Sequence, residues 1–200
     1  MTHVTDKRSR RSFLRSGLLG SIFCFTYFQP CAAAMANKSI QKCDIKMELV
    51  PLIDALRATG KPVCEQAARD LGIYVCRNQD YDLHLRNAAL DFNDALGISN
   101  ALSTINNAAS SKLRSFSMSF NPKLEDEGAI AVVKSLPTSL KELGLVGCAL
   151  SDKTGLVLLE WLKTASQVEM VCVEDNKFTA ELKQRLEATR RQRPPFTIIV

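Results

Sequence analysis

The sequence is poor in the residues from which cofactor and catalytic sites are usually assembled. Two histidines and one tryptophan occur in 200 residues, and only His84 lies beyond residue 36, so a metal site built on several histidines is excluded there. No G-x-G-x-x-G, P-loop, H-E-x-x-H or C-x-x-C is present, which removes the usual signatures of dinucleotide binding, phosphate cradling, zinc hydrolysis and dithiol redox chemistry. No apolar run suits a polytopic membrane protein, and 9 Gly and 7 Pro with 24% charged residues exclude a collagen-like or disordered chain. Even the net charge of +5 is local. Lys7, Arg8, Arg10, Arg11 and Arg15 against Asp6 account for four of the five units, leaving residues 37–200 almost neutral at +1. A near-neutral body is not expected to bind nucleic acid.

What is present begins with an address. Ser9-Arg10-Arg11-Ser12-Phe13-Leu14-Arg15 resembles the twin-arginine export motif of bacteria, departing from it only at Arg15, where the motif has lysine. A moderately apolar stretch from Gly17 to Phe28 follows, too short to span a bilayer comfortably, and Ala32-Ala33-Ala34 and Ala34-Met35-Ala36 both fit an A-x-A cleavage signal. The residues before Cys24, Cys31 and Cys43 do not resemble a lipobox. The resemblance implies that the twin-arginine translocase reads residues 1–36 as a signal peptide. Cleavage after Ala34 or Ala36 then leaves no stable membrane insertion, and a body of about 164 residues folds before export.

The second half repeats with a period of 27–28 residues. Leu113-x-x-Phe116-x-Met118-x-x-Asn121-x-x-Leu124, then Gly128, is followed by Leu140-x-x-Leu143-x-Leu145-x-x-Cys148-x-Leu150, then Gly155, and by Val168-x-x-Val171-x-Val173-x-x-Asn176-x-Phe178. A further 28 residues lead to Phe196, where Phe196–Val200 reads as a last short strand, and upstream Leu83-x-Leu85-x-x-Ala88-x-Leu90 is a weaker unit. Alternating apolar residues put one face of a short parallel strand into a core and expose the residues between. A helix is expected behind the strand of each of the three stronger units. Glu125, Asp126 and Glu127 precede Ala129–Val133, Ser151 and Asp152 precede Leu156–Leu162, and a third helix runs from Thr179 to Arg190. Such acid clusters read as helix starts, not as catalytic carboxylates.

These units resemble leucine-rich repeats of the ribonuclease-inhibitor-like type, L-x-x-L-x-L-x-x-N/C-x-L followed by a helix, over about residues 80–200. The resemblance implies an α/β fold, a short solenoid of about four repeats. In it Asn121 and Asn176, with Cys148 as the substitute, satisfy backbone groups where the chain leaves the strand. Ala88 has no side chain for that task, so the first unit is expected to be a degenerate or capping repeat.

Residues 37–79 form a different piece, expected as a helical N-terminal cap over the apolar end of the repeats. Leu49, Leu52, Ile53 and Leu56 mark a helix over Glu48–Thr59 ended by Gly60, Cys64–Leu71 reads as a second short helix, and Ile73–Val75 as a strand. Five cysteines lie beyond residue 36, an odd number, so at least one is unpaired within the chain. Cys43, Cys64 and Cys76 cluster in the cap, and in an oxidising compartment any two of them are a candidate disulfide, Cys43 being favoured because it would pin the new N-terminus.

In this register the concave surface carries Asp82, His84 and Arg86, then Ser115, Ser117 and Ser119, then Glu142, Gly144 and Val146, then Met170, Cys172 and Glu174. These are the candidate binding residues. Cys172 with His84 as a catalytic dyad fails on distance, because three strand spacings place their backbones roughly 14 Å apart and hydrogen-bond reach is about 3 Å. Ser117 faces His84 from the adjacent strand but has no evident third member or oxyanion donors. Arg190-Arg191-Gln192-Arg193 complements a helix C-terminus, and Trp161 reads as a packing residue. The expected function is binding of a protein partner by a periplasmic or secreted scaffold with no cofactor and no catalytic activity. The alternatives are an inhibitor or immunity protein against a toxic or lytic enzyme, and a thiol-dependent enzyme using Cys172 or a cap cysteine.

Overall fold

The computed structural model describes residues 49–77, 80–106, 112–192 and 195–200, and the side chains of all of these but 74–77 and 106. The expected export motif with Ser9, Arg10, Arg11, Phe13 and Leu14 lies outside the described residues, as do Cys43 and Arg193. α1 (Val50–Ala58) turns Leu52, Ile53 and Leu56 inward, and the chain leaves it through Gly60 at φ +64, a left-handed backbone that glycine adopts freely. α2 (Pro62–Arg77) is a single helix of 16 residues. This corrects the expected short helix followed by a strand at Ile73–Val75. Cys64, Ala68 and Leu71 are four and three residues apart on one buried stripe, and Gly72 does not end a helix whose packing face is committed in this way.

From Tyr81 onward strands and helices alternate: β1 (Tyr81–His84), α3 (Phe92–Asn106), β2 (Leu113–Ser117), a 3-10 turn (Pro122–Leu124), α4 (Glu125–Ser135), β3 (Glu142–Gly144), α5 (Asp152–Thr164), β4 (Met170–Cys172), α6 (Ala180–Gln192) and β5 (Thr197–Ile199). The five strands make one parallel sheet in chain order, so the fold is α/β. Ser115 pairs beside Glu142, Glu142 beside Met170 and Met170 beside Thr197, which reproduces the sequence period. Leu83, Phe116, Leu143, Val171 and Ile198 align on the buried face, none more than 5% exposed. α3 to α6 pack each against the next, α1 packs on α2 and α3, and α2 reaches β1. α3 was not read from the sequence, because Gly97 and several polar residues interrupt its stripe of Ala95, Ile98, Leu102 and Ile105. Two glycines let the helices close up. A Cβ on Gly128 would stand 3.1 Å from Ala95 Cβ, and one on Gly155 2.2 Å from Leu182 Cδ2.

The exit from each strand has the same geometry. Asn87, Phe120, Gly147 and Asp175, each three residues beyond a paired strand residue, all hold φ between +50 and +62. The residue that follows ties two units together. Asn121 donates from Nδ2 to Leu85 O at 2.8 Å and Met118 O at 2.7 Å, while its Oδ1 accepts from Leu90 N at 3.0 Å. Asn176 does the same toward Leu145 O, Val173 O, Cys148 N and Leu150 N. Cys148 donates its thiol to Met118 O and Val146 O. Among the described residues no strand precedes that of Ala88, so the bridge it cannot make has nothing there to reach; its turn is served by Asn121 from the next unit.

A second ladder joins the helix starts, where unpaired N–H groups favour carboxylates. Asp126 accepts from Ser151 N at 2.9 Å, from the Ser151 hydroxyl, and from Thr154 Oγ1 at 2.6 Å. Asp152 accepts from Thr179 N at 2.8 Å and Thr179 Oγ1 at 2.6 Å. At the front, Lys61 bridges to Asp94 at 2.8 Å and donates to Ala89 O at 2.7 Å, fastening α2 to the first strand–helix unit.

Candidate functional site

Period-2 alternation sends one set of strand residues away from the helices, and four strands bring theirs together in a trough of about 240 Å³. His84 and Arg86 come from β1 and its exit, Ser115, Ser117 and Ser119 from β2, Glu142, Gly144 and Val146 from β3, and Met170, Cys172 and Glu174 from β4. Of the residues expected on this surface only Asp82 stands apart. Its carboxylate holds the Arg114 guanidinium through two hydrogen bonds, Nε to Oδ1 at 3.0 Å and Nη2 to Oδ2, and it lines a separate groove with Pro62, Gln66 and Asp70 of α2.

The serines are not the exposed row that strand alternation suggests. Ser115, Ser117 and Ser119 are 4%, 9% and 2% exposed. Their side chains are short, and His84 and Arg86 on one side and Glu142 and Val146 on the other are longer. Each hydroxyl is also engaged: Ser115 Oγ with His84 Nε2 at 2.9 Å, Ser117 Oγ with Ser119 Oγ at 3.1 Å, and Ser119 Oγ as acceptor from Val146 N at 3.1 Å. Gly144 completes this floor, since a Cβ there would lie 2.8 Å from Ser117 Oγ. The floor is a closed, hydrogen-bonded layer, and the ridges around it are what a ligand meets first.

His84 therefore reaches Ser115, although Ser117 is its partner in register. Asp82 is spent on Arg114 and does not orient the imidazole. Cys172 lies on the fourth strand and His84 on the first, as the period required. Burial pushes the Cys172 thiol above its ordinary range, the charges of Glu174 and Glu142 push it further, and Arg86 offsets this only in part. A thiol held protonated is a poor nucleophile at neutral pH.

Phe120 was missing from the expected surface. It occupies the left-handed exit position at φ +62, where a bulky residue is an outlier, and is 41% exposed. The Arg86 guanidinium sits 5.3 Å from its ring centroid, a cation–π distance, and the ring leans over Gly147. The signal was in the aligned units, where phenylalanine stands against Asn87, Gly147 and Asp175. Met170 and Ile199, 42% and 45% exposed, add an apolar shoulder on the opposite side.

The other assigned residues fall into the framework. Trp161 is 8% exposed, as a packing residue should be, and its indole N–H has no partner. Arg190 and Arg191 are exposed in the last turn of α6. Cys64 is a buried free thiol, and of Cys76 only the backbone is described. Among the described residues no three His, Cys, Asp or Glu side chains converge as a metal site requires, and no helix is long and apolar enough to cross a membrane. No family model matches the chain, and no curated protein matches it.

Proposed function

We propose that the chain is an exported protein-binding scaffold of the leucine-rich-repeat type, with residues 37–79 as its cap and 80–200 as its repeats, acting in the periplasm or released from it. The single observation that carries the binding function is the convergence of alternate residues from four neighbouring strands on one trough, with exposed Met170 in its lining and exposed Phe120 and Ile199 beside Arg86 and Cys172. Three features support the repeat assignment: the 27- and 28-residue register, the left-handed exit residue at one place in every unit, and the asparagine and cysteine bridges between units. A hydrogen-bonded sheet presents such a surface already ordered, so a partner binds it at little cost in conformational entropy. The protein acts without cofactor or catalytic step, and the raised thiol of Cys172 weighs against a thiol-dependent enzyme.

The test is retention of partners from periplasmic extract on immobilised protein, compared with Met170→Trp, a substitution at an exposed rim position. A protein retained by the parent, displaced by soluble parent and lost on the variant supports the reading. Equal retention by both, or retention of nothing, refutes it.

A further inference from the structure

The two walls of the trough carry unlike charge. Arg86 stands on the β1 side, whereas Glu142 and Glu174 stand on the β3 and β4 side. Arg86, its guanidinium over the Phe120 ring, makes no ion pair with either carboxylate and offsets their effect at Cys172 only in part. Among the described residues neither Glu142 nor Glu174 has an ion-pair partner, and Glu174 Oε2 is out of reach of water without a hydrogen-bond donor. A carboxylate oxygen buried without a donor is costly, and a cation that draws the Glu174 carboxylate outward into the trough relieves that cost. Both carboxylates act on the Cys172 thiol, so the three groups share one electrostatic environment. In register with Cys172 lies Gly144, between the two acids, where the Ser117 and Ser119 hydroxyls fill the place of a Cβ and no longer side chain rises from β3.

Shape narrows the occupant further. The backbones of β1 and β4 are three strand spacings apart, roughly 14 Å, and the wall side chains narrow that gap. A helix about 10–12 Å across does not enter, whereas an extended chain does. Phe120, Met170 and Ile199 offer apolar contact on either side of the acids, which a segment with apolar residues flanking a cation uses and a bare amine does not.

We propose that this trough seats the ammonium or guanidinium of a Lys or Arg side chain, carried by an extended segment of a partner protein and placed between Glu142 and Glu174 above Gly144. The inference rests on the protein-docking reading above and adds to it the chemistry of the partner.

Two measurements on the whole protein test it. Cys172 reports the local field: a trimethylammonium-bearing methanethiosulfonate is expected to modify it several-fold faster than the sulfonate-bearing reagent, each rate normalised to free cysteine. In Glu142→Gln with Glu174→Gln, both isosteric changes, that ratio falls toward one. An unbiased or anion-favouring ratio in the parent overturns the proposal. Selection of linear heptapeptides from a displayed library reads the occupant. Roughly tenfold enrichment of Lys or Arg at one position, lost on either single Gln variant and on Met170→Trp, is the expected result. Peptides lost on Met170→Trp but showing no basic preference overturn the cation proposal and leave the docking reading standing. Absence of binders, or binders indifferent to Met170→Trp, overturns both.

Discussion

Asn121 shows how much one side chain can hold. It is fully buried, and its amide satisfies Leu85 O, Met118 O and Leu90 N, of which only Met118 O has a second side-chain donor, the Cys148 thiol. Asn121→Ala leaves Leu85 O and Leu90 N without that partner away from water and is expected to cost about 3 kcal/mol. Asn176→Ala removes an equivalent set in a partly exposed turn, where water replaces some of the bonds, and is expected to cost about half as much. Urea unfolding of the two variants measures the difference, and equal losses would show that burial does not set the cost. The role of Asn121 was legible in the sequence from its place in the repeat. That of Phe120 was not, because strand alternation ends before the turn and says nothing about where an exit residue points.

At the scale of elements, the helix starts are coupled by carboxylates. Desolvation tends to raise the Asp126 pKa, but hydrogen bonds from the side chains and backbone of Ser151 and Thr154 outweigh it and hold the group below its ordinary 3.8. A carboxyl group depressed in the fold stabilises it above the unfolded value, and that contribution is lost as pH falls through the lower folded value. Asp126→Asn is therefore expected to cost about 1 kcal/mol at neutral pH, the partial exposure of the site being allowed for, and progressively less as the pH falls through the lowered folded pKa. Chemical denaturation across that range checks it, and a pH-independent difference would show that shape, not charge, matters there. The acids were readable as helix starts from the sequence. Their service to the next helix was not, since Asp126 to Ser151 is a contact across two elements. α2 shows the reverse limit: β-branched Ile73 and Val75 suggested a strand, but the buried stripe of Cys64, Ala68 and Leu71 decided for helix.

For the whole molecule, the body from residue 37 onward is nearly neutral while the first 36 residues hold most of the net charge. If the twin-arginine reading is right, changing Arg10→Lys together with Arg11→Lys retains the precursor in the cytoplasm, as fractionation would show, and continued export refutes that address. The period, the parallel strand order and the set of alternate residues facing one surface were determined by sequence alone, because a repeat of fixed length with period-2 alternation leaves little freedom of register. Tertiary structure decided what that surface is. It took Asp82 away to Arg114, sank the three serines beneath their neighbours, turned His84 to Ser115 and raised Phe120 at the rim. These outcomes depend on the relative heights of side chains on adjacent strands and on which charge finds a partner first. Such quantities exist only between units, and no single repeat encodes them.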